Sequence, residues 1–483
     1  MIRIKPIIYF VLVYLGVLIF FMLNSHLSQD TYYYWQWSHH LALSYYDGPP
    51  MVAYLMRCLT TVFGDPEFSL YILNVLAIIT TSFLIYRISQ LLFKDQKISS
   101  LAVMIWLLTP GVIRYFFFET TYNVPMIIFW GAATLSFLYL IKKHRIRYYY
   151  LCGIFIGFLL LSKYTGILLC ASLFLYALVD KEARFIFKSY HTYLALLVAL
   201  FIFSPVLIWN AQHDWISFLF QLHHGYVDNQ THPIIFVLNY FKNAFIDYHI
   251  AFLLLVYYLI IKIKFICRNK NLFFLALISA FVFLFFFMSA FFANPPSSWN
   301  APFFFSGCIL LAYFIKENNL SKIFIVIFFI LLGLSSLFLL TANTFQPFYP
   351  KQNLGGRSEP PAVKYLISQL PSKTYTNQII VSDYYPTAAL LNYYLPGKPT
   401  VYGVLPESNQ DYFWWQAYKN THPSLKKVLY ISSPSADPNA KPLDPPHSEF
   451  KSCHLLKTVT YTQKRIFTAD YVWQFYVYEC QLK

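Results

Sequence analysis

Repeated apolar stretches, most of them long enough to cross a lipid bilayer, constrain this chain more than any single motif in it. About eleven can be traced, at 6–23, 69–92, 98–118, 123–141, 148–162, 166–179, 190–209, 248–264, 272–293, 302–315 and 321–341. A spanning helix needs roughly 17–25 mainly apolar residues. Only 12% of the 483 residues are charged, where an ordinary soluble domain has about 25%. The expected fold class is therefore mostly α, a polytopic membrane protein with about eleven transmembrane helices, up to thirteen, over 1–341. That region includes an outer loop at 24–68, and a C-terminal periplasmic α/β domain follows at 342–483. The first run, Pro6 to Leu23, is longer than the apolar core of a signal peptide and precedes no small-x-small cleavage site. It is expected to stay as the first span.

Basic residues orient the spans. With the N-terminus inside, eighteen lysines and arginines fall on inside loops and span ends, from Arg3 and Lys5 through Lys142, Lys143, Arg145 and Arg147 to Lys316 and Lys322. Four fall outside before the tail: Arg57, Arg114, Lys163 and Lys242. This asymmetry places the N-terminus in the cytoplasm and, for an odd number of spans, the tail in the periplasm of a bacterial inner membrane. The net charge of +15 is thus spread over short loops, and no basic tract long enough for nucleic acid stands out.

The tail opens with a Pro/Asn/Gly-rich linker and then reads as a helix from Pro361 to Leu370, a strand in QIIVSDYY, a helix in TAALLNYYL, and strands in PTVYGV and KKVLYISS. That alternation suggests a partly parallel sheet. Cys453 and Cys480 could pair in an oxidising compartment. The other five cysteines show no metal spacing and read as small packing residues.

Candidate chemistry begins just after the first span, in QDTYYYWQWSHHLALSYYDGPPMVAYLMRCLTTVFGD from Gln29 to Asp65. It is too polar to span and reads as a folded loop on the outer face, its Tyr and Trp side chains suited to the membrane–water boundary. Asp30 fits an N-cap for a helix starting at Thr31 and terminated at Asp47 before Gly48-Pro49-Pro50. It also fits a general base, and the two roles are compatible. Lys163 is the one lysine inside an apolar stretch, in the break Ser162-Lys163-Tyr164-Thr165-Gly166. Irregular backbone at membrane depth survives only when buried in protein or lining a wet cavity. Lys163 either snorkels to the headgroups or meets a phosphate at a cavity mouth. After the seventh span, SPVLIWNAQHDWISFLFQLHHGYVDNQTHP offers His213, Asp214, His223, His224 and His232, without a closed zinc spacing. Metal binding is not expected there; contacts to substrate hydroxyls or interface packing are. No Walker loop, dinucleotide glycine fingerprint or nucleophile elbow is present, which argues against a nucleotide-driven mechanism. No cofactor is expected, with a divalent cation left open.

The first-loop sequence, together with ETTYNVPMIIFWG, GFLLLSKYTGILL, SPVLIWNAQHDWISFLFQ and SSWNAPFFF in that order, resembles the polyprenyl-phosphate-dependent membrane glycosyltransferases of the family 39 type. These include protein O-mannosyltransferases, lipid A aminoarabinose transferases and the galacturonosyl transferases of rhizobial lipopolysaccharide. The resemblance covers most of residues 6–341 and implies a GT-C fold. It also implies a donor sugar on a polyprenyl phosphate in the bilayer, and a glycolipid, glycan or protein acceptor on the outer face. Asp30 matches the family's first-loop acid, which assists deprotonation of the acceptor hydroxyl in an inverting displacement. Lys163, with Arg57, would counter the phosphate charge. Tyr164, Asp47, Asn123, Glu119, Asn210 and His213 complete the expected substrate-binding set. The chain departs from the family at Thr31, Gly48 and Asn123, where Glu, a basic residue or His, and Asp are common. Asn123 can orient or hydrogen-bond but carries no charge, and Glu119 could take up an acidic role. Gly48 and Asn123 favour the alternative, a non-catalytic carrier or flippase of lipid-linked saccharides. The outer tail and the absence of a repeated half favour the enzyme.

The basic asymmetry predicts the outcome of reporter fusions. A reporter placed after Lys143 should report cytoplasm, and one near Gly397 should report periplasm. A cytoplasmic signal from the second fusion would contradict the orientation.

Overall fold

The computed structural model describes residues 5–483 apart from 117, 225–232, 319, 345–358, 372–377, 407–408, 433–444 and 465–469. In chain order its helices are α1 (Lys5–Leu23), α2 (Gln29–His39), α3 (Met51–Phe63), α4 (Glu67–Phe93), α5 (Gln96–Leu107), α6 (Pro110–Phe116) and α7 (Asn123–Lys143). Then come α8 (Arg147–Ser162), α9 (Ile167–Val179), α10 (Phe185–Lys188), α11 (Tyr190–Gln212), α12 (Ile216–His224), α13 (Pro233–Ile261) and α14 (Ile263–Arg268). Helices α15 (Lys270–Ser289), α16 (Ala301–Glu317), α17 (Lys322–Thr344), α18 (Glu359–Gln369), α19 (Tyr385–Tyr394) and α20 (Gln410–Thr421) follow. The strands are β1 (Ile380–Ser382), β2 (Val401–Gly403), β3 (Lys427–Ser432), β4 (Phe450–Gln463) and β5 (Tyr471–Leu482). The chain divides into two units, one of Met1–Leu23, Ala42–Ser44 and Gly48–Leu340, the other of Asn24–Leu41, Tyr45–Asp47 and Thr341–Lys483.

The first unit is the helical one. Among the described residues, eight of its helices are long and apolar enough to cross a membrane, or nine if α5 and α6, bent by 62° at their junction, make one span. The expected 98–118 segment is thus a broken pair. Helices α8 and α9 flank the break at Lys163 and are shorter, so a total of eleven requires both of them to cross as well. The expected 248–264 segment begins one residue before a non-helical residue within α13, His249. Helix α16 is apolar on all sides and buried along nearly its whole length against α4, α5, α7, α13 and α15, as a helix hydrophobic all round must be. Helix α8 packs on α7 and α11. Its Gly157 permits the second contact, since a Cβ there would lie 2.7 Å from Ile202 Cβ.

The second unit is built on a five-stranded sheet of order β2-β1-β3-β5-β4. β1 pairs parallel with β2 and β3, while β5 pairs antiparallel with β3 and β4. The partly parallel sheet read from the tail is present. Cys453 and Cys480 lie directly opposite each other on β4 and β5 and form a disulfide. Of the remaining cysteines, Cys152 and Cys308 are buried, but Cys58 and Cys267 are exposed, so packing does not account for those two.

Helix α2 belongs to this unit, and it changes the expectation for the first loop. Residues Thr31 to Ser38 are all buried. Tyr32 and Trp35 pack on Tyr393, and Tyr33 packs on Tyr385. These aromatics form the interior of a folded body with the tail and do not present a membrane-interface belt. The same amphipathic rings suit both settings, which is why composition pointed to the wrong one.

Candidate functional site

Lys163 lies between α8 and a short 3₁₀ turn, Tyr164–Gly166. Its backbone is extended there while its N–H still donates to Leu159 O at 3.0 Å. Gly166 lets the chain turn tightly, because a Cβ at that position would sit 2.7 Å from Leu159 Cγ. The break points the lysine inward, where only 6% of it is exposed. Nζ donates to Asn123 Oδ1 at 2.7 Å and lies 4.6 Å and 5.6 Å from the ring centres of Tyr122 and Trp299. Among the described residues no carboxylate pairs with it. Asn123 is the first residue of α7, so the positive end of that helix dipole faces the same region.

Tyr164 follows directly. Its hydroxyl meets Ser217 Oγ at 2.8 Å and Ser44 Oγ at 3.5 Å, with Asn210 also in contact. Asn210 is fully buried; it donates to Val206 O at 3.0 Å and accepts from Phe218 N–H at 3.4 Å. Lys163 and Asn123 therefore come together, as do Tyr164 and Asn210. His213 instead stacks on Trp209 and donates Nδ1–H to the Trp209 carbonyl at 2.7 Å. Arg57 is exposed on α3, and Glu119 lies near Arg114. His232 and the side chains of His223 and His224 lie outside the described residues. Among the described residues no group of three or more His, Cys, Asp or Glu is placed to hold a metal.

The second constellation belongs to the other unit. Asp30 lies in the first turn of α2; the N-cap is Ser28, and the helix ends at His39 well before Asp47. Asp30 Oδ1 accepts from the Tyr385 hydroxyl at 3.1 Å. Asp47 Oδ2 accepts from Tyr33 Oη–H at 2.9 Å, and that same phenol oxygen accepts from Gln410 N–H at 3.1 Å. Burial pushes the Asp47 carboxyl up to about 7, with the nearby Asp30 adding to the rise and hydrogen bonds from Tyr33 and Gln410 opposing it. Asp411, next in the chain to Gln410, is fully buried, and among the described residues neither carboxyl oxygen finds a hydrogen-bond partner. Burial and the neighbouring Asp47 hold its carboxyl well above the usual range. Two adjacent buried acids cannot both ionise cheaply, so the pair keeps a proton at pH values where free aspartates have none.

Sequence reasoning missed Tyr122, Trp299, Ser217, Tyr33, Tyr385 and Asp411. Tyr122 and Trp299 lie within the quoted motifs ETTYNVPMIIFWG and SSWNAPFFF, but nothing in the sequence separates them from the chain's many other aromatics. Tyr385 and Asp411 come from the tail, hundreds of positions from the loop they serve, and no local pattern marks them.

The architecture is a GT-C fold. ArnT from Cupriavidus metallidurans bound to undecaprenyl phosphate matches over 98% of both chains with TM-score 0.66 at 12% identity. Its apo state gives 0.64 over 99% of this chain and 98% of that one, also at 12% identity. The Archaeoglobus fulgidus oligosaccharyltransferase gives 0.54 over 87% of this chain and 67% of its own, again at 12% identity. Residues 47–209 match the family described as dolichyl-phosphate-mannose-protein mannosyltransferase. A relative from Rhizobium johnstonii, lipid A galacturonosyltransferase RgtD, is 26% identical over 187 residues, which is 38% of either chain. The resemblance drawn from the sequence agrees with these likenesses: the chain is a polytopic membrane protein with the GT-C fold, similar over residues 47–209 to that mannosyltransferase family.

The buried acid pair sets a pH dependence of stability. An aspartate raised in the folded state contributes its full stability below the unfolded value of about 3.9 and loses it as pH rises through the folded value. For Asp47 that window runs from about 4 to about 7. Asp411→Asn removes the ionising partner. It should unfold at a higher temperature than the wild type at pH 8, with the difference vanishing towards pH 4. Equal unfolding temperatures across that range would show that the two acids do not interact.

Proposed function

We propose that this chain is an inverting glycosyltransferase. In this reading it moves a sugar from a polyprenyl-phosphate donor to a hydroxyl of lipid A or another envelope glycan, on the periplasmic face of the inner membrane. The observation that carries the proposal is Lys163, a buried amine with an amide and two aromatic faces around it and no carboxylate paired with it among the described residues. Keeping such an amine charged inside protein costs several kcal/mol, a cost that an arriving phosphate would offset. A lysine beside a helix N-terminus suits a lipid phosphate. Asn123 gains a meaning here that the sequence did not suggest. An aspartate at that position would neutralise the amine, whereas the asparagine orients it and leaves its charge for the ligand.

Asp30 is the proposed base. It takes the proton of the acceptor hydroxyl as the acceptor oxygen bonds to the sugar's anomeric carbon. The bond from that carbon to the phosphate oxygen breaks on the opposite face, and the phosphate leaves with the electron pair. Lys163 stabilises the charge that develops there. The relative named for lipid A galacturonosyl transfer and the solved ArnT complex with undecaprenyl phosphate support the choice of acceptor and carrier. No residue in this scheme requires a cofactor.

Purified full-length protein can be given polyprenyl phosphates carrying galacturonic acid, aminoarabinose or mannose, with lipid A as acceptor and product followed by mass spectrometry. Transfer from one donor is expected. Asp30→Asn should lower turnover by roughly 10²–10⁴ with an unchanged unfolding temperature. An Asp30→Asn variant with wild-type turnover would remove Asp30 as the base and strengthen the carrier alternative.

A further inference from the structure

A general base must be aimed as well as charged, because small misplacements cost large factors in rate. Asp30 extends from the first turn of α2, and its own backbone does not select one side-chain direction. The tail supplies a direction. Tyr385, the first residue of α19, donates its hydroxyl to Asp30 Oδ1 at 3.1 Å.

The position of that hydroxyl is fixed by contacts that do not involve Asp30. The Tyr385 ring packs on Tyr33 at 4.8 Å and on Tyr384 at 5.4 Å between centres. Pro386 is the second residue of α19, and its fixed φ suits the first turn of a helix. Three residues before Tyr385 the chain leaves β1 at Ser382, whose hydroxyl donates to Ile431 O on β3 at 2.8 Å. Along its length α2 is seated on α19 and the following strand. Tyr32 and Tyr394 share a hydroxyl contact of 2.7 Å, and Gln36 Nε2 donates to Val401 O at 3.0 Å. The two helices are thus locked in register, and Tyr385 falls opposite Asp30 as a consequence.

We propose that Tyr385 is a positioning residue for Asp30: its hydroxyl, carried by the tail, aims the carboxylate at the acceptor hydroxyl, so the tail is a working part of the site. This rests on Asp30 being the base. Burial, with the Asp30 charge beside it, holds the Tyr385 phenol well above its ordinary range, so it remains a donor at any physiological pH. Within the same unit the other titratable groups acting on it are Asp47 and Tyr384.

The test uses full-length protein and four variants in the lipid A transfer assay. Tyr385→Phe keeps the ring packing and deletes only the donor. It should lower kcat by roughly 10- to 100-fold, the value of one hydrogen bond to a charged group, with KM for donor and acceptor unchanged. Tyr384→Phe, next to it, should behave as wild type. In an Asp30→Asn background, adding Tyr385→Phe should cause no further loss, because the group being aimed is gone. A Tyr385→Phe variant with wild-type kcat would overturn the proposal while leaving Asp30 as the base, and so would losses that multiply in the double variant. An active Asp30→Asn variant would overturn both.

Discussion

The structure of the membrane unit turns on one buried amine, that of Lys163. An amine taken out of water needs a partner, and the described surroundings of Lys163 give it an amide oxygen at 2.7 Å and two aromatic faces but no carboxylate. Cation–π contacts offset part of the desolvation, on the order of 0.5–2 kcal/mol each. Several features of the fold exist to allow this arrangement. The helix breaks between α8 and α9, Gly166 makes room for the turn, and α7 begins at the residue that holds the amine.

The second unit solves a different problem. Its first segment, α2, is too polar to span a membrane and too aromatic to be left in water. It becomes stable by burying Thr31 to Ser38 against a domain that the chain makes more than 300 residues later. That long return couples the loop's acids to the tail. Asp30 is tied to Tyr385, and Asp47 lies in a network with Tyr33, Gln410 and the buried Asp411. Folding of α2 therefore waits for the tail, a costly order of events in chain entropy that is repaid by a rigidly placed carboxylate.

How much of this could be seen beforehand depended on the range of the interactions. Most of the long apolar helices were legible because an apolar run of sufficient length has few alternatives, and the break at Lys163 was legible because a lysine in such a run is rare. The parallel strands of the tail and the Cys453–Cys480 pair were also readable, from strand–helix alternation and from the cysteine positions. The bend between α5 and α6 was not, since Leu108, Thr109 and Pro110 leave the run apolar on both sides. The burial of Tyr32, Trp35 and Trp37 was misjudged for a chemical reason: a ring with one polar edge suits a protein interior and a membrane interface equally. Asp411 and Tyr385 carry no local signal at all. Their importance exists only once the sheet has placed α19 and α20.

The central claim is that Lys163 is built to receive the phosphate of a lipid carrier, and binding tests it without any need to know the sugar or the acceptor. The measurement is the affinity of purified protein for undecaprenyl phosphate and for undecaprenol, which differ only in the phosphate, for the wild type and for Lys163→Met. The account predicts that the wild type prefers the phosphate by at least roughly ten-fold, about 1.4 kcal/mol, and that Lys163→Met binds the two equally. A wild type indifferent to the phosphate, or a preference that survives in Lys163→Met, would contradict it.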